Sequence, residues 1–157
     1  MRVVAIAAVN LAGGIGYRGR LPWGRPPKAD GRFFREKTSE PGASIVVGRK
    51  TWETLPHLPG RTIYVLSRRL EGAARSPEEV LALAASAGDR TLYVAGGREV
   101  YEAFAPYVEE IFLTLVLDES PADTYYPFEA FGEGWTRDAV VRLGPGVDIL
   151  HFRKEKP

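Results

Sequence analysis

The sequence contains no cysteine, no glutamine, one asparagine, one methionine and two histidines. The absence of cysteine excludes a disulfide scaffold, a zinc–thiolate site, an iron–sulfur cluster and a cysteine nucleophile. His57 and His151 lie far apart in the sequence, so we expect no histidine-rich centre and no bound metal. The scarcity of asparagine, glutamine and methionine, together with 12 prolines, is typical of thermophilic proteins. Codon usage rich in G and C would produce a similar bias.

The sequence also lacks an excess of positive or negative charge, and it contains no long apolar run. The 21 lysines and arginines are balanced by 20 acidic residues, so the composition does not favour nucleic-acid binding, which usually needs a clustered basic excess. No apolar run approaches the roughly 18 residues that cross a bilayer, and the N-terminal segment is a poor signal peptide. We therefore expect a cytoplasmic protein that binds neither nucleic acid nor membrane.

The length of 157 residues predicts a single domain over residues 1–157 that buries its own core. Apolar, β-branched runs predict strands, and these alternate with helical segments as far as residue 105, which is typical of a parallel sheet with crossover helices. The expected fold is α/β, with a mixed, mostly parallel central sheet of about eight strands, about four flanking helices and a C-terminal antiparallel hairpin. Predicted strands cover residues 3–9, 44–48, 61–67, 91–95, 110–117, 135–143 and 147–153; predicted helices cover residues 28–37, 51–55, 77–87 and 98–105.

Two glycine-containing segments resemble nucleotide-binding motifs but lack the context that these motifs need. Residues 14–19 match G-x-G-x-x-G after a strand, yet the prolines that follow exclude the helix that this motif must open. Residues 48–51 resemble the end of a P-loop, but Ser44 stands where its first glycine belongs. Residues 11–27 are instead predicted to form a long loop rich in glycine and proline, and a loop of this length in a compact domain is usually functional or disordered.

Phosphate-binding groups are predicted at the carboxyl ends of three strands. Residues 49–51 follow one strand, Gly96-Gly97 lies between another strand and a helix, and Ser67-Arg68 follows a third. Helix N-termini and guanidinium groups bind anions, and ligands of open α/β sheets bind at this edge. A hydroxyl beside a guanidinium suits a phosphate monoester, such as the 2′-phosphate that separates NADP from NAD. Solvated basic residues and a tight strand-to-helix turn are the alternative interpretations.

Asp30 is the candidate catalytic acid. It lies at the start of a predicted helix, where an aspartate can also serve as a cap or as a partner of the helix dipole. Phe34 lies on the same helix face, and if that face lines a pocket, the carboxylate would accept hydrogen bonds from an amidine-like pair of N–H groups. Arg61, after a Pro-Gly turn, could clamp a ligand carboxylate. Glu53 fits a structural role, and His57 fits an exposed position.

Taken in order along the chain, these segments are similar to those of bacterial dihydrofolate reductases over essentially the whole length. The resemblance implies the NADPH-dependent reduction of 7,8-dihydrofolate to 5,6,7,8-tetrahydrofolate. Its most specific part is Leu21-Pro22-Trp23 before an acid on a helix. The other matching pieces are Ile6-Ala7-Ala8-Val9, Gly14-Ile15-Gly16, Phe33-Phe34, and residues 47–53, 58–61, 96–101 and 113–114.

The resemblance also implies roles for individual residues. Asp30 matches the acid that hydrogen-bonds the pterin and favours a proton on its imine nitrogen, Thr114 matches the residue linked to that acid, and Arg61 matches the clamp on the glutamate tail. Residues 10–24 match the loop that closes over the nicotinamide, with Leu21 and Trp23 in the catalytic set. Ile6, Ala8, Leu21, Phe34 and Leu55 match the apolar walls. The implied cofactor-binding residues are Ala8, Gly14, Ile15, Gly16, Gly19, Arg49, Lys50, Thr51, Ser67, Arg68, Arg75, Ala95, Gly96, Gly97, Arg98, Glu99, Val100 and Tyr101.

The sequence departs from the family pattern in two places. Six residues separate Trp23 from Asp30, which is longer than the usual bacterial spacing, and Pro56-His57 is one residue short, so that a second tail-binding cation is missing. The nearest alternative is the related reductase of riboflavin synthesis, which usually lacks the Leu-Pro-Trp and acid arrangement. A non-enzymatic nucleotide-binding regulator is the alternative of another class, since it would need the phosphate sites but no acid. We expect a monomer rather than a dimer.

Overall fold

The computed structural model describes residues 1–56 and 58–155, so His57 lies outside the described residues. In these ranges the chain forms nine strands, four α-helices and two short 3-10 segments, Ala105–Tyr107 and Phe128–Phe131. The strands are β1 (Arg2–Val9), β2 (Gly14–Gly16), β3 (Ala43–Gly48), β4 (Thr62–Leu66), β5 (Thr91–Val94), β6 (Glu110–Val116), β7 (Thr124–Tyr125), β8 (Trp135–Gly144) and β9 (Val147–Lys154). The helices are α1 (Lys28–Thr38), α2 (Arg49–Thr54), α3 (Pro77–Ser86) and α4 (Arg98–Phe104).

The central sheet has seven strands in the order β4-β3-β5-β1-β6-β9-β8. The first five run parallel, β9 pairs antiparallel with β6, and β8 pairs antiparallel with β9. The predicted α/β fold with a mostly parallel sheet and a C-terminal hairpin is therefore confirmed. The predicted number of about eight strands is corrected to seven, because the short strands β2 and β7 pair with each other in a separate two-stranded sheet.

The central strands are apolar along their whole length because helices cover both faces of the sheet. On one face, Val4 and Ile6 of β1 pack with Phe34 of α1. On the other face, Ala5 belongs to a larger core that includes Phe104 of α4 and residues of α3. The predicted strand ends agree with those of all seven strands to within one residue, and two-sided burial accounts for the apolar runs of β1, β3 and β5.

Helix ends follow local hydrogen bonds. At the start of α3 the Ser76 hydroxyl accepts the N–H of Glu79 at 3.2 Å, as its capping sequence predicts, while the Glu79 carboxylate accepts the N–H of Arg75 at 2.8 Å. The prediction of a helix over residues 51–55 is corrected to Arg49–Thr54. This helix begins earlier because the backbone turns directly after Gly48, whose N–H donates to the Gly96 carbonyl at 2.9 Å.

Glu110 anchors an ionic cluster at the amino end of β6. Its side chain is buried, and its carboxylate lies 2.6 Å from Nη2 of Arg2 and 3.0 Å from Nε2 of His151. Burial opposes ionisation of Glu110, but the hydrogen bonds and charges of its basic neighbours outweigh it and lower the pKa of Glu110. The cluster thus joins β1, β6 and β9 through one compensated charge.

We predict that Tyr126→Phe raises the free energy of unfolding, by about 1 kcal/mol, because a buried hydroxyl without a partner costs stability. The Tyr126 hydroxyl is buried and finds no hydrogen-bond partner in the described part of the chain. The matched control is Tyr93→Phe, since Tyr93 is as buried as Tyr126 but its hydroxyl donates to Glu40 at 3.1 Å. Urea unfolding should show opposite signs for the two variants, and a loss of stability in both would contradict the prediction.

Candidate active site

The candidate site lies at the edge of the sheet where the parallel strands end. β3 ends at Gly48, β5 ends at Val94, and β1 lies between β5 and β6. The β1–β6 register places Ala8 beside Thr114 near this edge. Because the carboxyl ends of parallel strands form a crevice in open α/β sheets, this edge is where a ligand is expected.

Asp30 lies in the first turn of α1 and points toward the sheet. Its Oδ1 accepts a hydrogen bond of 2.6 Å from the Thr114 hydroxyl. Burial raises the pKa of Asp30 above its ordinary value, and the hydrogen bond from Thr114 partly offsets this rise. The longer spacing after Trp23 therefore does not turn the carboxylate away from the sheet. Thr114 binds only Oδ1, so it leaves the second carboxylate oxygen, Oδ2, as a possible acceptor for a ligand.

Three of the residues predicted as apolar walls, Ile6, Phe34 and Leu55, belong to two apolar clusters that share Phe34. Phe34, one helical turn after Asp30, packs in one apolar cluster with Ile6 and in a second cluster to which Leu55 also belongs. Ala8 is half-buried in β1. The structure thus packs Phe34, one turn after the acid, against Ile6 of β1 and against Leu55, which directly follows α2.

The long loop after β1 is held by side chains from the segment after β6. The N–H of Arg18 donates to Oδ2 of Asp123 at 2.8 Å, and β2 pairs with β7. This places Gly14, Ile15 and Gly16 in a short strand, while Gly19 follows in a turn with a φ of +78°. Leu21 and Trp23 are half-buried, and the buried Nε1 of Trp23 has no acceptor among the described residues.

Asn10 is a positioning residue that the sequence analysis missed. It is buried; its Oδ1 accepts the N–H of Gly14 at 2.9 Å and its Nδ2 donates to the Ser120 carbonyl at 2.9 Å. A Cβ atom on Gly14 would lie 2.5 Å from the Cβ atom of Ala122, so only glycine fits where the loop after β1 meets the segment after β6. The available signal was that the chain retains one asparagine and places it directly after the first strand.

The turn between β5 and α4 presents backbone donors. The N–H groups of residues 96–99 have no acceptor among the described residues, and Gly96 has a φ of +116°, which favours glycine. The Gly96–Gly97 peptide bond is cis. The turn is flanked by the half-buried Ala95 and by Val100 and Tyr101, both buried, and the Tyr101 hydroxyl donates to the Ile6 carbonyl at 2.8 Å.

Two side chains of the predicted cofactor set, Arg98 and Arg49, have protein partners instead. The Arg98 guanidinium donates to the Tyr125 carbonyl at 2.9 Å and to Glu129 at 2.8 Å. Arg49 pairs with Glu53 at 3.1 Å, which gives Glu53 the structural role predicted for it. Both guanidinium groups therefore form ion pairs within the chain, and their assignment to a cofactor stays a prediction.

The segment after β4 holds the third predicted group. The Ser67 hydroxyl accepts the N–H of Leu70 at 3.1 Å, and Nη1 of Arg75 donates to the Ser67 carbonyl at 2.6 Å. Arg68 is exposed and forms no ion pair with the described residues. Lys50 is also exposed. Thr51 is half-buried, and its hydroxyl oxygen lies 3.7 Å from the point that a Cβ atom on Gly96 would occupy.

Arg61 is held against the C-terminal end of α1. Its guanidinium donates to the Thr38 hydroxyl at 3.1 Å, to the Arg35 carbonyl at 2.9 Å and to the Pro59 carbonyl at 2.9 Å. These bonds leave its positive charge without a carboxylate partner among the described residues. An oriented but uncompensated guanidinium suits a ligand carboxylate.

None of the helices in the described residues is both long enough and apolar enough to cross a bilayer.

Comparisons with known proteins agree with this geometry. A dihydrofolate reductase from Neisseria gonorrhoeae is 34% identical over 161 residues, covering 96% of this chain and 95% of that protein. A dihydrofolate reductase from Mycobacterium tuberculosis is 38% identical over 115 residues, covering 71% of this chain and 69% of that protein.

A solved structure is similar over the whole fold. Dihydrofolate reductase from Enterococcus faecalis, complexed with NADP(H) and RAB-propyl, superposes with a TM-score of 0.79 and 27% identity, covering 99% of this chain and 97% of that one. The sequence model of the family described as dihydrofolate reductase matches residues 2–140. The chain therefore belongs to the dihydrofolate reductase family.

Proposed function

We propose that the cleft at the carboxyl edge of the sheet is where this chain performs its family's reaction, the NADPH-dependent reduction of 7,8-dihydrofolate to 5,6,7,8-tetrahydrofolate. The observation that carries the proposal is the Asp30 carboxyl group, half-buried, hydrogen-bonded to Thr114 at 2.6 Å and surrounded by the apolar walls. An acid in such surroundings suits a polar edge of a flat, largely apolar ligand.

Asp30 has two tasks in this proposal. Its carboxylate accepts hydrogen bonds from the pterin amino group and the adjacent ring N–H, which orients the ring between Ile6 and Phe34. By binding this edge of the ring, the carboxylate also favours a proton on the adjacent imine nitrogen, the atom that must be protonated when the neighbouring carbon is reduced. The reduced nicotinamide supplies the hydride when it is bound. The remaining contribution of the chain is to position the reactants.

The residues at the strand ends fit a dinucleotide phosphate. The N–H groups of residues 96–99 are suited to the pyrophosphate because backbone donors at a strand-to-helix turn bind phosphate oxygens. Arg68, without an ion-pair partner among the described residues, is suited to the 2′-phosphate, with Ser67 and Arg75 shaping its turn. We assign the adenosine side to residues 49–51 and this turn, and the nicotinamide side to Tyr101 and residues 14–19.

The loop of residues 10–24 is proposed to cover the nicotinamide and to exclude water from the reacting atoms. The hydrogen bond from the Arg18 N–H to the Asp123 carboxylate and the pairing of β2 with β7 support this position of the loop. Leu21 adds apolar surface, and the unpartnered Nε1 of Trp23 supplies a donor near the pterin. Arg61 is proposed to bind the carboxylate of the substrate's glutamate tail, since its guanidinium is already oriented by α1.

We further propose that residues 1–157 act as one domain, because the central sheet takes strands from both Arg2–Val9 and Val147–Lys154. The reaction is assigned to the cytoplasm, where NADPH is regenerated. The direct test is to mix the purified protein with NADPH and dihydrofolate and follow the loss of NADPH absorbance. Tight NADPH binding without dihydrofolate-dependent oxidation would overturn the proposal and favour a nucleotide-binding regulator.

We predict that Asp30→Asn lowers the rate of hydride transfer at neutral pH by about 100-fold or more, because the amide cannot favour a proton on the imine nitrogen. The rate of the variant should rise as the pH falls, since solvent then protonates the substrate directly. NADPH affinity should stay within a factor of about two, because the carboxylate does not contact the phosphate groups.

The same variant has a built-in folding control. Because the pKa of Asp30 is raised in the folded state, its ionised form destabilises the fold at neutral pH. Asp30→Asn should therefore unfold at an equal or higher urea concentration than the parent protein. A hydride-transfer rate like that of the parent would remove the role assigned to Asp30.

We predict that Thr114→Val moves the acid-side fall of kcat/KM to higher pH, because the proposed contact with the pterin N–H groups needs the ionised form of Asp30. The Thr114 hydrogen bond lowers the pKa of Asp30, so removing it leaves burial unopposed and raises that pKa further. Thr114→Ser is the matched control, because it keeps the hydroxyl and should keep the parent profile. The measurement is the pH dependence of kcat/KM for all three proteins; identical profiles would show that the hydrogen bond does not tune the acid.

We predict that Arg68→Ala weakens binding of NADPH by about 10- to 100-fold while changing NADH binding little, because it removes a charge-assisted hydrogen bond to the 2′-phosphate. Arg90→Ala is the surface-charge control, since Arg90 is exposed and directly precedes β5, at the opposite end of the strand. Fluorescence titration with both dinucleotides gives the comparison. An equal loss for NADH and NADPH would place Arg68 away from the 2′-phosphate.

A further inference from the structure

Gly31 lies on the part of α1 that runs between the two proposed ends of the substrate site. Residues at spacings of three, four and seven share one face of a helix, so Gly31 shares a face with Phe34 and Thr38. Phe34 belongs to the two apolar clusters described above, and the Thr38 hydroxyl accepts the Arg61 guanidinium at 3.1 Å. A ligand held by Asp30 at one end and by Arg61 at the other therefore passes Gly31.

Neither the backbone nor the packing of α1 requires a glycine at this position. Gly31 has helical geometry rather than the positive φ that favours glycine elsewhere in the chain. Apart from the backbone of α1 itself, a Cβ atom on Gly31 would have one neighbour within 4 Å in the described part of the chain, Nη1 of Arg35 at 3.6 Å, which is an ordinary van der Waals contact. Glycine is a poorer helix former than alanine because ordering its backbone costs more entropy. The chain therefore carries a destabilising residue where a larger one fits.

The missing side chain leaves a notch in the wall of the site, which we call the Gly31 notch. Phe34 and Arg35, three and four residues further on, are the neighbours of Gly31 on the helix surface and bound the notch. Gly31 is half-buried, yet its Cβ position faces open space except for the Arg35 guanidinium. Arg35 is exposed and forms no ion pair with the described residues. The notch thus lies between an aromatic ring and a guanidinium group that has no acidic partner in the described ranges.

These two neighbours suit a flat aromatic ring. Aromatic rings pack edge to face or offset against other rings, and guanidinium groups stack on aromatic faces. Dihydrofolate carries such a ring, the aminobenzoyl group, between its pterin and its glutamate. The order along α1 matches the order along the substrate, with Asp30 for the pterin, the Gly31 notch for the ring and Arg61 for the carboxylate.

We propose that Gly31 is a specificity-determining residue, because the Gly31 notch admits a dihydrofolate whose aminobenzoyl ring is widened by substituents. The proposal rests on the proposed function, since it needs the pterin at Asp30 and the glutamate tail at Arg61. A larger side chain at position 31 fills the notch and restricts the site to the unsubstituted ring. Because Gly31 does not contact the proposed reacting atoms, it acts on KM rather than on kcat.

The test compares dihydrofolate with its derivative dichlorinated on the aminobenzoyl ring, in the unaltered protein and in Gly31→Leu. We expect kcat/KM of the unaltered protein for the two substrates to agree within about threefold. Gly31→Leu should lower kcat/KM for the dichlorinated substrate about 10- to 100-fold more than for dihydrofolate, through KM, because the leucine occupies the space that the chlorine atoms need. A larger preference in the unaltered protein, or equal losses for both substrates in Gly31→Leu, would overturn the proposal.

Arg32→Leu is the matched control, because Arg32 is the next residue of α1, is exposed and points about 100° further round the helix. It should leave the ratio of the two kcat/KM values unchanged, and a change as large as that in Gly31→Leu would remove the role of the notch. Urea unfolding checks the fold. Gly31→Leu should unfold at an equal or higher urea concentration than the unaltered protein, since leucine is the better helix former.

Equilibrium binding separates this proposal from the proposed function. Quenching of tryptophan fluorescence gives the Kd of both ligands without turnover. If dihydrofolate-dependent NADPH oxidation is absent but the ratio of the two Kd values follows the residue at position 31, the proposed function fails and the notch stands. If turnover occurs and neither ratio responds, the notch fails and the proposed function stands; if neither ligand binds, both fail.

Discussion

A carboxyl group in an apolar cleft is stable only if its surroundings compensate its charge, and this requirement organises the site. Burial raises the pKa of Asp30 and the Thr114 hydrogen bond lowers it, so the two elements that carry these residues must keep a fixed relation. α1 brings the acid, and the β1–β6 pairing places the hydroxyl beside Ala8. A slip of β6 by one residue would turn Thr114 to the opposite face and leave the acid uncompensated.

The edge that we propose binds the cofactor phosphates depends on the same sheet. Parallel pairing brings the ends of β3, β5 and β1 together, and the hydrogen bond from Gly48 to the Gly96 carbonyl connects the two turns that follow β3 and β5. The N–H groups of residues 96–99, in the turn after β5, have no acceptor among the described residues. The hydroxyl that binds Asp30 and the proposed backbone donors to the cofactor are thus positioned by strands of one sheet.

The sequence predicted the parts of the fold that depend on local patterns. The strands β1, β3 and β5 are apolar, largely β-branched runs bounded by turn residues, and such runs are visible without the structure. β2 and β7 were missed because three and two residues carry no periodicity. The Arg98 guanidinium pairs with Glu129, 31 residues further along the chain, and no local rule connects the two. The edge position of β8 likewise follows from strand order, which the sequence does not display.

Asn10 has a consequence for the chemical durability of the chain. Asparagine and glutamine lose their amide groups when heated, and this chain has one such side chain in 157 residues. That amide is buried, and both of its polar atoms are engaged by backbone partners around Gly14 and Ser120. Deamidation therefore requires the hydrogen bonds of Asn10 to Gly14 and Ser120 to open first, so the rate of this covalent damage reports how often the loop after β1 separates from the segment after β6.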